Sequence, residues 1–130
     1  MGEPLRPSTV LPSKRELTKV RTEDGIELVV EVASPLNPSK GALLMCHPNP
    51  TGGGMMDSHV YKKAANRLPA LGDLTIVRFN TRGTSSDQGV STGTYDQAKL
   101  EKHDVEAMVH YCLDELKLEN LLLVLTLVHP

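Results

Sequence analysis

The 130-residue chain has no large excess of charge of either sign, no closely spaced pair of cysteines and no long apolar run. Its formal net charge of −2 and pI of about 6.2 leave no broad basic surface for a nucleic acid partner. Cys46 and Cys112 lack CxxC spacing, which favours two reduced thiols. No apolar stretch has the length of a secretion signal or of a transmembrane span. We therefore expect a cytoplasmic protein without a nucleic acid or membrane partner.

The first part of the chain predicts a loose lead-in followed by antiparallel strands. Residues 1–13 contain three of the nine prolines and show no periodicity, so we expect a flexible segment there and an ordered domain over 14–130. RELTKVR and IELVVEVA flank the turn-forming pair Asp24-Gly25, which predicts a hairpin. GALLMC, residues 41–46, is continuously apolar and is typical of a strand that is covered on both faces.

The remainder alternates helix and strand. HVYKKAANRL, residues 59–68, predicts a helix with Asp57 and Ser58 available as caps, and LTIVRFN predicts the next strand. An apolar stripe between Lys99 and Leu116 predicts a second helix, and LLLVLTLV predicts a final strand. This alternation favours an α/β fold with a mainly parallel sheet and helices on both faces.

The segment MCHPNPTGGGMMD places three glycines between a strand and a helix. It matches neither the P-loop pattern GxxxxGK[ST] nor the dinucleotide pattern GxGxxG. Pro48 and Pro50 have no N–H, so the remaining donors suit one small oxyanion better than a pyrophosphate. These donors are the amides of His47, Asn49, Thr51, Gly52, Gly53 and Gly54. The alternative is that the glycines only turn the chain from strand to helix.

MCHPNPTGGGMMD and VRFNTRGTSSDQG, followed by an amphipathic helix and LLLV, resemble the first half of an α/β-hydrolase. The resemblance is to small bacterial dienelactone-hydrolase-like and serine-aminopeptidase-like enzymes, and it covers residues 14–124. It implies an incomplete α/β-hydrolase sheet, with antiparallel first strands, then parallel strands, and helices on both faces. It also implies hydrolysis of an ester, thioester or amide of a small acyl substrate through an acyl-serine, without a metal or other cofactor.

The same resemblance implies roles for individual residues. The backbone N–H of Asn49 corresponds to an oxyanion-hole donor, which stabilises the tetrahedral intermediate of acyl transfer. The positions that shape the site are His47, Thr51, Gly52, Gly53, Gly54, Arg82 and Gly83, with His47 as an architectural residue.

Other polar side chains carry more ordinary interpretations. Ser85 and Ser86 are predicted to form a turn, since no recognisable motif places a base beside them. His103 and His110 lie seven residues apart on one helix, and without a third ligand motif they are interpreted as solvated.

The resemblance fails where the nucleophile is expected. LLLV should precede a GxSxG elbow, but Leu127 stands at the serine position and Leu125 and His129 stand at the glycine positions. We therefore expect the N-terminal half of a hydrolase, cut by a premature stop, a frameshift or a gene-calling error, without nucleophile, acid or base. Alternatives are a non-catalytic remnant that acts as an interaction module and a small anion-binding α/β domain. An uncovered fifth strand would also favour self-association.

Overall fold

A computed structural model of the chain describes residues 10–46, 59–86, 89–93 and 101–125. The strands are β1 (Lys14–Arg21), β2 (Glu27–Ser34), β3 (Gly41–Cys46), β4 (Leu74–Phe79), β5 (Ser85–Ser86), β6 (Gly89–Val90) and β7 (Leu121–Leu125). The helices are α1 (His59–Gly72) and α2 (Glu101–His110), and α2 continues into a π-helical turn over Tyr111–Glu115.

Five of the strands form one mixed sheet in the order β1-β2-β4-β3-β7. The pairs β1–β2 and β2–β4 are antiparallel, whereas β4–β3 and β3–β7 are parallel. This arrangement confirms the predicted fold class, an antiparallel start followed by parallel strands. Within the described residues, β7 pairs with β3 alone and forms one edge of the sheet.

The β1–β2 hairpin turns at the predicted position. Gly25 has a φ of +86°, a left-handed conformation that glycine adopts without steric cost. Its N–H donates to the carbonyl of Thr22, and the Thr22 N–H donates to the carbonyl of Ile26. The Thr22 hydroxyl adds a bond to Asp24 Oδ1 at 2.6 Å, so backbone and side chains both hold the turn.

Helices cover the two faces of the sheet, as predicted. Alternate residues of the central strands, such as Val30, Leu44 and Phe79, form one core with Met108 of α2 and Cys112 of the π-helical turn. The residues that point the other way form a second core with α1, which comprises Ala33, Met45, Tyr61, Ala65 and Ile76. Because successive strand side chains point to opposite faces, continuously apolar strands serve both cores at once.

Helix α1 continues beyond Leu68, where the sequence predicted its end, and includes Pro69. A proline lacks the N–H that would bond to the carbonyl four residues earlier, which here is that of Ala65. Arg15 Nη1 donates to this carbonyl at 3.3 Å. The arginine of β1 therefore satisfies an oxygen that the proline frees, and the helix continues through it.

The predicted lead-in is described from residue 10 onward. The N–H of Leu11 donates to the carbonyl of Asn66 in α1 at 2.8 Å. The first strand begins at Lys14. Residues 1–9 lie outside the described residues.

The segment after β4 was predicted as a loop, but it contains the short antiparallel pair β5–β6. Ser91 holds this segment against the sheet, because its hydroxyl donates to the carbonyl of Asn80 at 2.7 Å and accepts from the N–H of Val29 at 2.8 Å. The predicted turn formers Ser85 and Ser86 therefore lie in a strand rather than in the turn itself.

Candidate active site

The carboxyl ends of β3, β4 and β7 lie side by side at one end of the sheet, which we call the site edge to distinguish it from the lateral edge formed by β7. Cys46, the last residue of β3, pairs with Phe79 at the end of β4 and with Leu125 at the end of β7. The chain therefore leaves three adjacent parallel strands at the same level. Ligands of open α/β sheets bind at this edge, so it is the candidate active site.

Most of the predicted site residues come soon after these strands in the sequence, but they lie outside the described residues. This applies to the oxyanion residue Asn49 and to Leu127, and also to His47, Thr51, Gly52, Gly53 and Gly54. Their assigned roles stay predictions. Arg82 and Gly83 are described, and Gly83 has a φ of +72°, a left-handed conformation that glycine adopts without steric cost.

Tyr61 fixes the point at which β3 ends. Tyr61 belongs to α1, and its side chain is buried between this helix and the sheet. Its hydroxyl donates to the carbonyl of Cys46 at 2.5 Å. A helix side chain thus holds the peptide that precedes the glycine-rich segment. A buried hydrogen bond of this kind fixes the orientation of the last carbonyl of β3.

Arg82 joins three elements behind the site edge. Its Nε and Nη2 donate to Asp104 Oδ1 of α2 at 3.0 and 2.8 Å, and its backbone N–H donates to Asp104 Oδ2 at 2.8 Å. Its Nη1 and Nη2 also bind the two carboxylate oxygens of Asp24, at 2.7 and 3.0 Å. Arg82 is 3% exposed and Asp104 is fully buried. The predicted site-shaping arginine therefore clamps the hairpin, the loop after β4 and α2 together.

This cluster also changes the acid–base properties of its members. The hydrogen bonds from Arg82 hold the pKa of the Asp24 carboxyl well below its usual range. The hydrogen bonds to Asp24 and Asp104 raise the pKa of the Arg82 guanidinium. Asp24 and Arg82 are therefore held in their charged forms, which suits a structural clamp better than proton transfer.

A buried ion-pair cluster within the sheet was not predicted from the sequence. Glu31 of β2 lies directly opposite Arg78 of β4, and its Oε1 accepts from Arg78 Nη2 at 2.5 Å and from Arg15 Nη2 at 2.8 Å. Charges of opposite sign within two mainly apolar strands could have indicated an ion pair. The sequence did not give the pairing register that places Glu31 opposite Arg78.

The two cysteines are free and buried in the core between the sheet and α2. Burial raises the pKa of both Cys46 and Cys112 to about 12. Neither thiol therefore has the ionised form that a nucleophile needs near neutral pH.

Solved structures with the same architecture identify its fold. An α/β serine hydrolase homologue from Coxiella burnetii is 28% identical with a TM-score of 0.68, over 85% of this chain and 50% of its own. A lidless α/β serine hydrolase from Xanthomonas campestris is 27% identical with a TM-score of 0.71, over 89% and 52%. The chain has an α/β-hydrolase fold. It resembles the serine hydrolases of that fold, and it spans about half the length of these relatives.

A solved structure of lower identity, an esterase from Pyrococcus furiosus, shares the fold at 17% identity and a TM-score of 0.69, over 87% of this chain and 42% of its own. No protein-family model and no curated protein sequence matches the chain. In the described part of this α/β-hydrolase fold, no helix has the length and apolar character needed to cross a membrane.

Proposed function

We propose that these 130 residues are the N-terminal half of a cytoplasmic serine hydrolase, whose complete form cleaves an ester, thioester or amide of a small acyl substrate through an acyl-serine. In this proposal the half carries the oxyanion donor at Asn49 and lacks the serine nucleophile, with Leu127 in its place. It therefore does not catalyse the reaction alone, and the acyl-serine mechanism of the complete form needs no cofactor.

One observation carries the proposal. The parallel register of β3 and β7 pairs Cys46 with Leu125. The chain leading to Asn49 and the chain leading to position 127 thus start from neighbouring strands at the same edge. An oxyanion donor and a nucleophile must act on one carbonyl group, so they need this proximity. The similarity to serine hydrolases over half their length supports the same interpretation.

The anion-binding alternative has weaker support. The residues at the site edge that the structure describes do not supply a free cation, because Arg82 is fully engaged by Asp24 and Asp104. The interaction-module alternative has an observation in its favour, which is the apolar edge of the sheet at β7. The interaction-module alternative predicts that the chain associates with another protein or with itself, but that fusion to a hydrolase C-terminal half does not produce an active enzyme.

The decisive experiment joins residues 1–124 to a matching hydrolase C-terminal half that supplies the GxSxG serine, the acid and the histidine. We expect the fusion to hydrolyse short-chain p-nitrophenyl esters and to react with a fluorophosphonate probe. The unfused chain should do neither, since covalent catalysis requires an activated nucleophile. A fusion that folds, as judged by circular dichroism, but stays inactive would favour the interaction module.

Turnover by the unfused chain would contradict the proposal in a specific way. Ser85 and Ser86 lie in the segment after β4 and are the serines to test first. Activity lost in Ser85→Ala or Ser86→Ala, but kept in a matched Ser34→Ala control at the end of β2, would move the active site to that segment.

We also propose that the isolated chain self-associates through β7. This strand is wholly apolar, and Leu122 and Leu123 are 60% and 41% exposed. The opposite edge strand, β1, contains Lys14, Arg15, Glu16, Lys19 and Arg21. Charged edges resist pairing with a further strand, whereas uncharged apolar edges promote it.

Light scattering at micromolar concentration should therefore find dimers or larger species. Leu122→Lys should shift the chain towards monomer, because it places a charge on the pairing edge. Leu17→Lys makes the same change at a leucine of β1 that is 52% exposed, and it should leave the association unchanged. A monodisperse wild-type monomer would refute this proposal.

A further inference from the structure

Three possible metal ligands meet beside the hairpin, away from the residues assigned to hydrolysis. Glu23 lies in the β1–β2 turn, and His103 and Glu106 lie three residues apart on α2, so they share one helix face. One ligand atom from each residue lies within 4.8 Å of the other two. Donors from two separate elements thus converge on one point.

The Arg82 clamp holds these donors in place. Arg82 binds Asp24, the neighbour of Glu23, and Asp104, the neighbour of His103. The backbone on both sides of the cluster is therefore tied to one buried guanidinium. This rigidity reduces the conformational entropy that a ligand would otherwise have to remove when it binds the three side chains.

His103 provides a second and independent observation. Its ring is half-buried, and its Nδ1 is a buried atom with no hydrogen-bond partner in the described part of the chain. A buried nitrogen without a partner carries a desolvation cost. A metal ion that binds Nδ1 relieves this cost.

The donor set selects the kind of ion. Zinc binds imidazole nitrogen and carboxylate oxygen at about 2.0–2.2 Å, which places ligand atoms roughly 3.3–3.6 Å apart in a tetrahedral site. The ligand atoms of the cluster lie within 4.8 Å of one another, and Glu23 and Glu106 are exposed, so their side chains can move to close the remaining gap. An imidazole ligand disfavours Ca²⁺ and Mg²⁺, which prefer all-oxygen sites. We infer that Glu23, His103 and Glu106 form a site for a divalent transition-metal ion of the Zn²⁺ class.

The surroundings leave room on the ion for a further ligand. The cluster lies in a surface groove of about 420 Å³ between β1 and α2, which His110 and Asp114 also line. Three protein ligands with an open fourth position are the arrangement of zinc sites that bind water or a small ligand. This inference is independent of the proposed hydrolase, because none of the three residues is assigned to that reaction.

Binding of Zn²⁺ to the untagged chain tests the inference directly. We expect one ion per chain by isothermal titration calorimetry and a rise in Tm of about 3 °C or more at saturating Zn²⁺, since the ion would bridge the hairpin and α2. Chelation with EDTA should reverse the rise. His103→Gln, Glu106→Gln and Glu23→Gln should each weaken binding by about tenfold or more. The two glutamate changes affect exposed side chains, so they keep the test valid if the histidine variant does not fold.

Glu119→Gln is the matched control. Glu119 is an exposed carboxylate that follows the π-helical turn, and it does not line the groove. This variant should bind Zn²⁺ within about twofold of wild type. Co²⁺ should give a visible spectrum without a sulfur-to-metal charge-transfer band, since the two thiols are buried elsewhere. No saturable binding, equal loss in the control, or a thiolate band would each overturn the assignment.

Discussion

Replacing Arg82 by alanine should lower the free energy of unfolding by about 3–5 kcal/mol, because removal of one partner leaves a buried charge uncompensated. The partner left behind is Asp104, which is fully buried and accepts three hydrogen bonds from this one residue, two of them from its side chain. Few single substitutions in a domain of this size have a larger expected effect.

Urea unfolding followed by circular dichroism measures this loss at concentrations where the chain is monomeric. Arg67→Ala is the control, since Arg67 is exposed on α1 and its replacement should change stability by less than about 0.5 kcal/mol. The double variant Arg82→Leu/Asp104→Leu should lose less than Arg82→Ala, because it leaves no buried charge without a partner, and the remaining Asp24 carboxylate is exposed to solvent. A double variant that is as unstable as the single one would assign the effect to packing rather than to the ion pair.

The same cluster predicts a pH dependence with a defined sign. The pKa of Asp24 is depressed in the folded state relative to its ordinary value of 3.8. Its contribution to stability is therefore complete above that value, and it is lost progressively as the pH falls below it. Asp24→Asn should flatten the decline in stability in this acidic range. An unchanged acid-side slope would show that other carboxylates dominate it.

The sheet was predictable because its signals are local. Asp24-Gly25 between two alternating segments specifies a hairpin, and GALLMC has the composition of a strand with two covered faces. The end of α1 was not predictable in this way. Pro69 favours a stop after Leu68, but Arg15 donates to the freed carbonyl of Ala65 from a strand that lies 50 residues away in sequence. Tertiary contacts of this kind override a local helix signal.

The sequence predicted the location of the candidate site but not the contacts of its residues. The motifs locate it at the ends of β3 and β4, and the parallel register brings these ends together with the end of β7. The sequence placed Arg82 at this edge but did not predict its burial, because that depends on where α2 brings Asp104. The approach of Glu23 to His103 could not be predicted for the same reason, since it requires contact between the hairpin and α2.

The backbone role proposed for Asn49 predicts that two substitutions at this position differ sharply in a completed enzyme. In the active fusion of residues 1–124 with a hydrolase C-terminal half, Asn49→Ala should keep most of kcat because the donor is the main-chain N–H. Asn49→Pro removes that N–H within a segment that already contains Pro48 and Pro50. The loss of one oxyanion donor typically lowers kcat by roughly 100- to 1,000-fold.

A proline also restrains the backbone, so the loss of activity needs a second measurement. The fusion carrying Asn49→Pro should still fold and still react with a fluorophosphonate, slowly, because its serine and histidine are intact. Equal damage from the alanine and proline variants would replace the backbone role with a side-chain role for Asn49. If neither variant loses activity, the donor is instead the amide of Thr51 or of one of the three glycines. The two substitutions together therefore distinguish the N–H from the side chain that accompanies it.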